Sequence, residues 1–156
     1  MRVRSTGLGL LARRTGGWEF PTFASWGIMA GITDRHTEVS GVLPGGAACK
    51  RVAAEQVHGA SLAVIEQIDP CDQPIQGADA LLTARAGVAL LIRTADCLPI
   101  FFADPGRGVG GIAQAGGRGL AASLPMRMVA AFRHTYQSRA DELRVALGPA
   151  IRACCY

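Results

Sequence analysis

The chain has 156 residues, which is enough for one domain with a hydrophobic core of its own. Hydrophobic residues make up 49% of it, a share typical of globular proteins that excludes a largely disordered chain. The net charge is +4, but no basic block with interleaved aromatic residues is present, so nucleic-acid binding is not predicted. No apolar stretch reaches the roughly 18 residues of a membrane-spanning helix.

The cysteine pattern favours a reducing compartment. Five cysteines are present, an odd number without a CxxC pair: Cys49, Cys71, Cys97, Cys154 and Cys155. Such a set is not a disulfide framework, so we predict a cytoplasmic protein. Residues 1–17, which carry several arginines, are expected to form a flexible basic tail, and residues 18–156 a single domain.

Short elements separated by turns are predicted for the first part of the domain. An extended aromatic stretch is expected over Trp18–Phe23, because Pro21 disfavours helical backbone at Phe20. Further along the chain, the pattern predicts a strand with glycine interruptions, one or two helical turns, and a second strand, over Trp26–Thr33, Ala47–Ala54 and Ser61–Ile68 respectively.

The stretch from residue 78 to residue 119 organises the rest of the chain. Short apolar runs bounded by Gly, Pro and Asp predict three buried strands, Gly87–Ile92, Leu98–Ala103 and Val109–Ala113. A glycine-rich turn and a helix follow, with Ser123 as its N-cap and with Leu124, Met128 and Phe132 on one apolar face. Leu143–Leu147 is predicted as a last buried strand. The result is a mixed α and β domain.

A few polar residues among these predicted elements are candidates for a functional site, although each also has an ordinary structural role as the alternative. His58 stands before a glycine, Asp96 and Cys97 lie between two predicted strands, and Gln114 opens the glycine turn. Taken singly, they are typical of a surface histidine, a loop cap, an inert buried thiol and a polar loop residue. Arg118 lies in the glycine turn, where a guanidinium would suit an anion such as phosphate.

The order of the motifs is more specific than any of them alone. The sequence runs QVHG, GADALLT, GVALLIRTADCLPIFFAD, AQAGGRG and ALGPAIRACCY. It resembles the YfiH family, also described as laccase-domain or multicopper polyphenol oxidase proteins, in which QVH, TADC, HAGWRG and GPAIxxCCYEV occur in this order. The resemblance covers about Trp18 to Tyr156, and RTADCLPIFF, Arg93–Phe102, is its most specific part.

This resemblance implies a fold and a metal site. The implied fold is an α/β (α+β) arrangement, a mixed β-sheet sandwich flanked by helices, shared with some cysteine-hydrolase-like toxins. The implied metal ligands occupy the positions of His58, Cys97 and Gln114. Three nitrogen or sulfur ligands suit one zinc ion with an open fourth position, and fit the several coppers of a true laccase less well. Copper is therefore the less favoured metal.

The resemblance also implies an activity, namely phosphorolysis of adenosine or inosine, with adenosine deamination as a second reaction. Asp96, Cys97 and His58 are the candidate catalytic residues. The arginines Arg35, Arg93 and Arg118 are candidates for binding phosphate or ribose, with ordinary surface charge as the alternative role. The implied partners are a purine nucleoside and phosphate, with no nucleic acid or membrane, in a homo-oligomer.

The sequence departs from the family pattern at three places. Gln114 stands where the family has a metal-binding histidine and Gly117 where it has tryptophan; the segment between Ser40 and Glu55 is short; and the chain stops at CCY. An amide oxygen is a poor zinc ligand, so zinc binding is expected to be weak. Two alternatives to the phosphorylase therefore remain open. One is a non-catalytic homologue that keeps the fold, and the other is a metal-free hydrolase with Cys97 as nucleophile and His58 as base.

Overall fold

The structure, a computed structural model, describes residues 11–37, 49–67 and 73–155. In these residues it has ten strands and three helices. The strands are β1 (Ala12–Arg14), β2 (Gly17–Glu19), β3 (Gly31–Thr33), β4 (Lys50–Ala53), β5 (Leu62–Val64), β6 (Ala80–Thr83), β7 (Val88–Leu91), β8 (Leu98–Asp104), β9 (Val109–Ala115) and β10 (Arg144–Leu147). The helices are α1 (Pro21–Ala24), α2 (Gly117–Ala121) and α3 (Leu124–Tyr136).

A five-stranded sheet in the order β10-β8-β9-β6-β5 forms the centre of the fold. Its pairs are antiparallel except for β5 and β6, which run parallel, so the sheet is mixed. The strands β8 and β9 are the longest, and a turn at residues 105–108 connects them. All four residues of β6 are buried, as expected for a short apolar strand with neighbours on both sides.

Helix α3 covers one face of this sheet. Leu124, Met128 and Phe132 are fully buried and belong to one core cluster with residues of β6, β8 and β9. The helix approaches β9 closely at Gly111, where an added Cβ would lie 2.8 Å from the Met128 Cε atom. The apolar face predicted from the sequence is confirmed, because a spacing of four residues keeps these side chains on one side of a helix.

The opposite face of the sheet carries two smaller layers. One is the parallel pair β4–β7, which shares a core cluster with Leu81 of β6. The other is the antiparallel sheet β1-β2-β3, where Phe20 and Phe23 pack around Phe101 of β8. The ring centroids of Phe20 and Phe101 are 5.0 Å apart. Stacked sheets with helices alongside form the mixed sandwich that the family resemblance implied.

The N-terminal predictions need correction at three points. The expected tail, residues 1–17, includes strand β1, whose pairing with β2 places the first described residues in a sheet. Phe20 is extended, as predicted, but Pro21 then begins the short helix α1, since proline is well suited to a first helical position. The strand predicted over Trp26–Thr33 is limited to β3.

Further corrections concern the rest of the chain. Lys50–Ala53 forms strand β4 where helical turns were predicted, because Val52 is buried by pairing with β7. Strand β6 was not predicted. Ser123 precedes α3 as predicted, but it adopts φ 59° and its side chain makes no capping hydrogen bond. The last strand, β10, forms as predicted but is mostly exposed, since it lies at the edge of the sheet.

Some predictions fall on residues that the structure does not describe, among them Cys71 and the segment 38–48. Among the helices in the described ranges, none combines the length and the apolar character needed to cross a membrane.

Candidate functional site

Three of the sequence-predicted site residues meet at Gly116, just beyond the end of β9. A Cβ built on Gly116 would lie 3.0 Å from the Cys97 Sγ atom, 3.7 Å from the Gln114 Nε2 atom and 3.7 Å from the His58 Cδ2 atom. Strand register brings Cys97 and Gln114 together, because Leu98 pairs with Ala115 and Pro99 with Gln114. His58 reaches the same place from the loop between β4 and β5.

A pair of hydrogen bonds joins the His58 loop to the segment that carries Cys97. The Gln56 side chain accepts a hydrogen bond from the Arg93 backbone N–H at 2.7 Å and donates one to the Arg93 carbonyl at 2.6 Å. One amide thereby satisfies both backbone groups of Arg93, as a neighbouring strand would. The Gln56 side chain, through its bonds to the Arg93 backbone, thereby ties the loop that carries His58 to the segment that carries Cys97.

The backbone next to His58 is fixed from two further sides. Gly59 N–H donates to the Asp79 Oδ2 atom at 2.8 Å, and the Arg118 Nη2 atom donates to the Val57 carbonyl at 3.2 Å. His58 itself has φ 58°, in the left-handed region that residues other than glycine enter at a cost. These contacts stabilise that conformation and leave the His58 side chain exposed.

Gln114 presents its nitrogen to the site and hides its oxygen. Its side chain is 2% exposed, and within the described ranges the Oε1 atom has no hydrogen-bond donor. A buried acceptor without a donor costs about 1–3 kcal/mol. In this orientation the nitrogen cannot ligate a metal, because an amide nitrogen has no free lone pair.

The residues as placed do not fit a tightly held zinc ion. His58 and Cys97 supply two strong ligands, one fewer than catalytic zinc usually takes from a protein. Within the described part of the chain, no three His, Cys, Asp or Glu side chains lie close enough together to hold a metal. Cys154 and Cys155, the thiols nearest the C-terminus, are exposed, with their sulfur atoms 3.3 Å apart.

The other predicted site residues differ in how the structure places them. Asp96 is exposed in the loop before β8, and its carbonyl accepts a hydrogen bond from Ile151 N–H at 2.9 Å. Arg93 and Arg118 are exposed next to the His58 loop, to which each is hydrogen-bonded. Arg35 bonds to its neighbour His36 at 3.1 Å, and no hydrogen bond among the described residues links it to the group around Gly116.

Two residues of this region were missed by sequence reasoning. Gln56 stands in the QVHG motif and Asp79 in GADALLT, but neither motif by itself indicates the contacts that these two side chains make. Asp79 is fully buried, and an aspartate immediately before a buried apolar strand is unusual enough to be a signal. For the hydrolase alternative, a Cys97–His58 hydrogen bond would be the expected feature; the described residues contain none.

A comparison with protein families shows the family to which the chain belongs. The family model described as multi-copper polyphenol oxidoreductase laccase matches residues 10–156. The chain belongs to this family. The resemblance to YfiH proteins drawn from the motifs is thereby confirmed, together with the fold class.

Relatives and solved structures of the laccase-domain family are similar to this chain. The purine nucleoside phosphorylase YlmD of Geobacillus stearothermophilus is 38% identical over 111 residues, which is 67% of this chain and 40% of YlmD. The purine nucleoside phosphorylase SCO2081 of Streptomyces coelicolor is 42% identical over 104 residues, 65% of this chain and 41% of its own. The chain thus aligns with about two fifths of the length of these relatives.

The crystal structure of the same YlmD superposes with a TM-score of 0.79 at 28% identity, covering 95% of this chain and 67% of that one. The crystal structure of the hypothetical protein YfiH from Bacillus licheniformis gives a TM-score of 0.73 at 23% identity, covering 90% and 64%. The second likeness is a likeness of fold. Together they place this laccase-domain chain among proteins of the YlmD and YfiH fold.

Proposed function

We propose that this protein is a YfiH-type purine nucleoside phosphorylase acting on adenosine or inosine, with a degenerate zinc site. The observation that carries the proposal is the convergence of His58, Cys97 and Gln114 on Gly116. Relatives named purine nucleoside phosphorylase support it. The substrates are then a purine nucleoside and phosphate, and the products are the free base and ribose 1-phosphate.

Phosphorolysis needs an anion held beside C1′ of the ribose. A phosphate oxygen forms the new bond to C1′ while the bond from C1′ to the base nitrogen breaks, and its electron pair leaves with the base. The departing base takes up a proton. Arg93 and Arg118 are exposed beside the His58 loop, where their guanidinium groups would hold phosphate. Asp96, exposed in the adjoining loop, is the candidate acid/base that would pass a proton from water to the departing base, and Arg35 is the third candidate for binding phosphate or ribose.

His58 and Cys97 would contact the reacting groups at the point marked by Gly116. We expect zinc to bind weakly there, and no step of the proposed reaction passes through it. Localisation in the cytoplasm follows from the cysteine pattern and stays a prediction. Adenosine deamination, the second reaction that the family resemblance implies, would release ammonia and require no phosphate.

The test is a product assay with and without phosphate. Purified protein is incubated with adenosine or inosine, and free base and ribose 1-phosphate are measured by chromatography. Base release that depends on phosphate and falls at least tenfold in H58A and C97A would support the proposal. H134A is the matched control, because His134 is exposed on α3 away from Gly116. Absence of phosphate-dependent base release would refute it.

One observation favours a second candidate, a nucleoside-binding homologue without catalysis. Gln114 stands where the family resemblance implies a histidine ligand, and its side chain lies beside Gly116 together with those of His58 and Cys97. A site that has lost a ligand could keep its shape and its ligand affinity. Calorimetric titration with adenosine separates the two, since binding without any base release or deamination would favour the second candidate.

A further inference from the structure

Two buried oxygen atoms without donors lie on the same face of the central sheet. The Asp79 Oδ1 and Gln114 Oε1 atoms have no hydrogen-bond partner in the ranges that the structure describes. Asp79 is 0% exposed and Gln114 2% exposed, so bulk water does not serve either atom. An ionised carboxylate oxygen and an amide oxygen are both acceptors, so neither can donate a hydrogen bond to the other.

Strand pairing makes the two residues direct neighbours. The antiparallel register of β6 and β9 pairs Ala80 with Ala113, and Gln114 N–H donates to the Asp79 carbonyl at 2.8 Å. Continuing the register by one residue sets Asp79 opposite Gln114. Directly opposed residues of an antiparallel pair project their side chains to the same face, with Cβ atoms about 5.5 Å apart. A side-chain hydrogen bond between an aspartate and a glutamine spans that separation.

One of the two Asp79 carboxylate oxygens already accepts a hydrogen bond. The Oδ2 atom accepts a hydrogen bond from Gly59 N–H at 2.8 Å, next to His58. The orientation of the Asp79 side chain is therefore set, which leaves Oδ1 as the atom in need of a donor. The Gln114 amide can supply that donor, because a half-turn about its last bond exchanges nitrogen and oxygen in nearly the same space.

We propose that Asp79 is a positioning residue that holds the Gln114 amide with Nε2 toward the carboxylate and Oε1 toward His58 and Cys97. Turning the Gln114 amide by a half-turn changes the surroundings of both oxygen atoms that lack a donor. Asp79 Oδ1 accepts from Nε2, and the Gln114 oxygen faces the histidine and the thiol around Gly116. The site then presents a nitrogen, a sulfur and an oxygen, so the amide orientation decides whether a third metal ligand exists at all. The relevance to catalysis rests on the proposed function, but the orientation itself does not.

The substitution D79N replaces the hydrogen-bond acceptor opposite the Gln114 amide with a donor. The new side chain keeps an oxygen to accept from Gly59 N–H and offers an NH₂ group where Oδ1 was. Gln114 must then turn its oxygen inward and its nitrogen outward to His58. A structural role confined to supporting Gly59 would leave the Gln114 amide unmoved.

Side-chain amide NMR of glutamine-labelled protein measures this directly. The Gln114 resonances are identified by their absence in Q114M. In the unmodified protein we expect Nε2 protons that exchange at least about tenfold more slowly than in a free amide and show no NOE to the His58 Hδ2 proton. In D79N we expect an NOE to His58 Hδ2 and loss of the slow exchange.

Two controls test whether the spectral change is specific to the Gln114 amide and to Asp79. The Gln56 amide, bonded on both sides to Arg93, should keep its resonances in every variant. D104N replaces another buried aspartate, which lies at the far end of β8 and pairs with Arg107; it should leave Gln114 unchanged. An NOE between Nε2 and His58 Hδ2 in the unmodified protein, or identical Gln114 spectra in D79N, would overturn the proposal. Neither outcome depends on nucleoside turnover.

Discussion

Gly116 leaves the space in which the three candidate site residues meet. It has an ordinary extended backbone, with φ −80° and ψ 176°, so glycine is needed there for space and not for conformation. A Cβ would lie 3.0 Å from the Cys97 sulfur, closer than normal packing allows. The sulfur or the glycine turn would have to shift.

We therefore expect G116A to fold but to lower the proposed nucleoside turnover by up to about tenfold, since the Cys97 sulfur must move by a few tenths of an ångström and a displacement of about 1 Å costs about a hundredfold. The measurement is phosphate-dependent base release together with a thermal melt. G106A is the control, because its Cβ would meet only Asp104 Oδ1 at an ordinary 3.5 Å. Full activity in G116A would show that the sulfur position does not matter.

We also expect metal affinity to depend on a single residue, Gln114. The unmodified protein should hold little zinc, because His58 and Cys97 are its only strong ligands around Gly116 in the described chain. Q114H adds an imidazole at that point, and zinc content measured by elemental analysis should rise toward one ion per chain. Q73H adds a histidine at an exposed position and should not raise it. Stoichiometric zinc in the unmodified protein would contradict this prediction.

At the scale of elements, the site depends on a link between two loops. Gln56 and Arg93 are 37 positions apart in sequence and joined by two short hydrogen bonds. Q56M removes both bonds but keeps the length of the side chain. The free energy of unfolding should fall by about 1–3 kcal/mol, and turnover should fall with it. Q76M, which loses one local bond of 3.4 Å to Pro74, should change the free energy little in the same denaturant titration.

Helix α3 offers a matched pair of methionines. Met128 is fully buried against Gly111 of β9, whereas Met126 is 66% exposed. M128A should lower the free energy of unfolding by about 2–5 kcal/mol, through lost burial and the cavity left behind. M126A should change it by less than about 0.5 kcal/mol. Equal losses in urea denaturation would mean that α3 does not pack on the sheet as described.

At the scale of the whole molecule, strand β10 leaves an apolar edge. Val145 and Leu147 are 49% and 54% exposed, although the residues that pair with them on β8, Phe102 and Ile100, are buried. Helix α3 covers Phe102 but leaves these two side chains of β10 exposed. An open edge strand with exposed apolar residues favours association with another chain.

We therefore predict a homo-oligomer that buries β10, with Cys154 and Cys155 near the contact. Light scattering across a dilution series should show a dimer or larger species. V145K/L147K should shift the protein to monomer, whereas M29K, which changes another exposed apolar residue, should not. A monomer at all concentrations would refute the prediction.

The sequence by itself determined the strands β7, β8 and β9, the apolar face of α3 and the identity of the candidate site residues. Local periodicity carries the first two, since Leu124, Met128 and Phe132 repeat at helical spacing. The order of the QVH, TADC and AQAGGRG motifs carries the third. The predicted role of each residue, and the weak zinc site, remain predictions.

Only the tertiary structure decided how these pieces meet. Val52 lies in a strand because it pairs with Leu90 of β7, a partner 38 positions away that no local pattern reveals. The neighbours of Asp79 are decided by strand register, which sets it opposite Gln114 and beside Gly59. Val145 is exposed because none of the helices in the described ranges covers β10 at the edge of the sheet. Pairing, burial and orphaned polar atoms are properties of distant contacts, and a chain read from one residue to the next does not contain them.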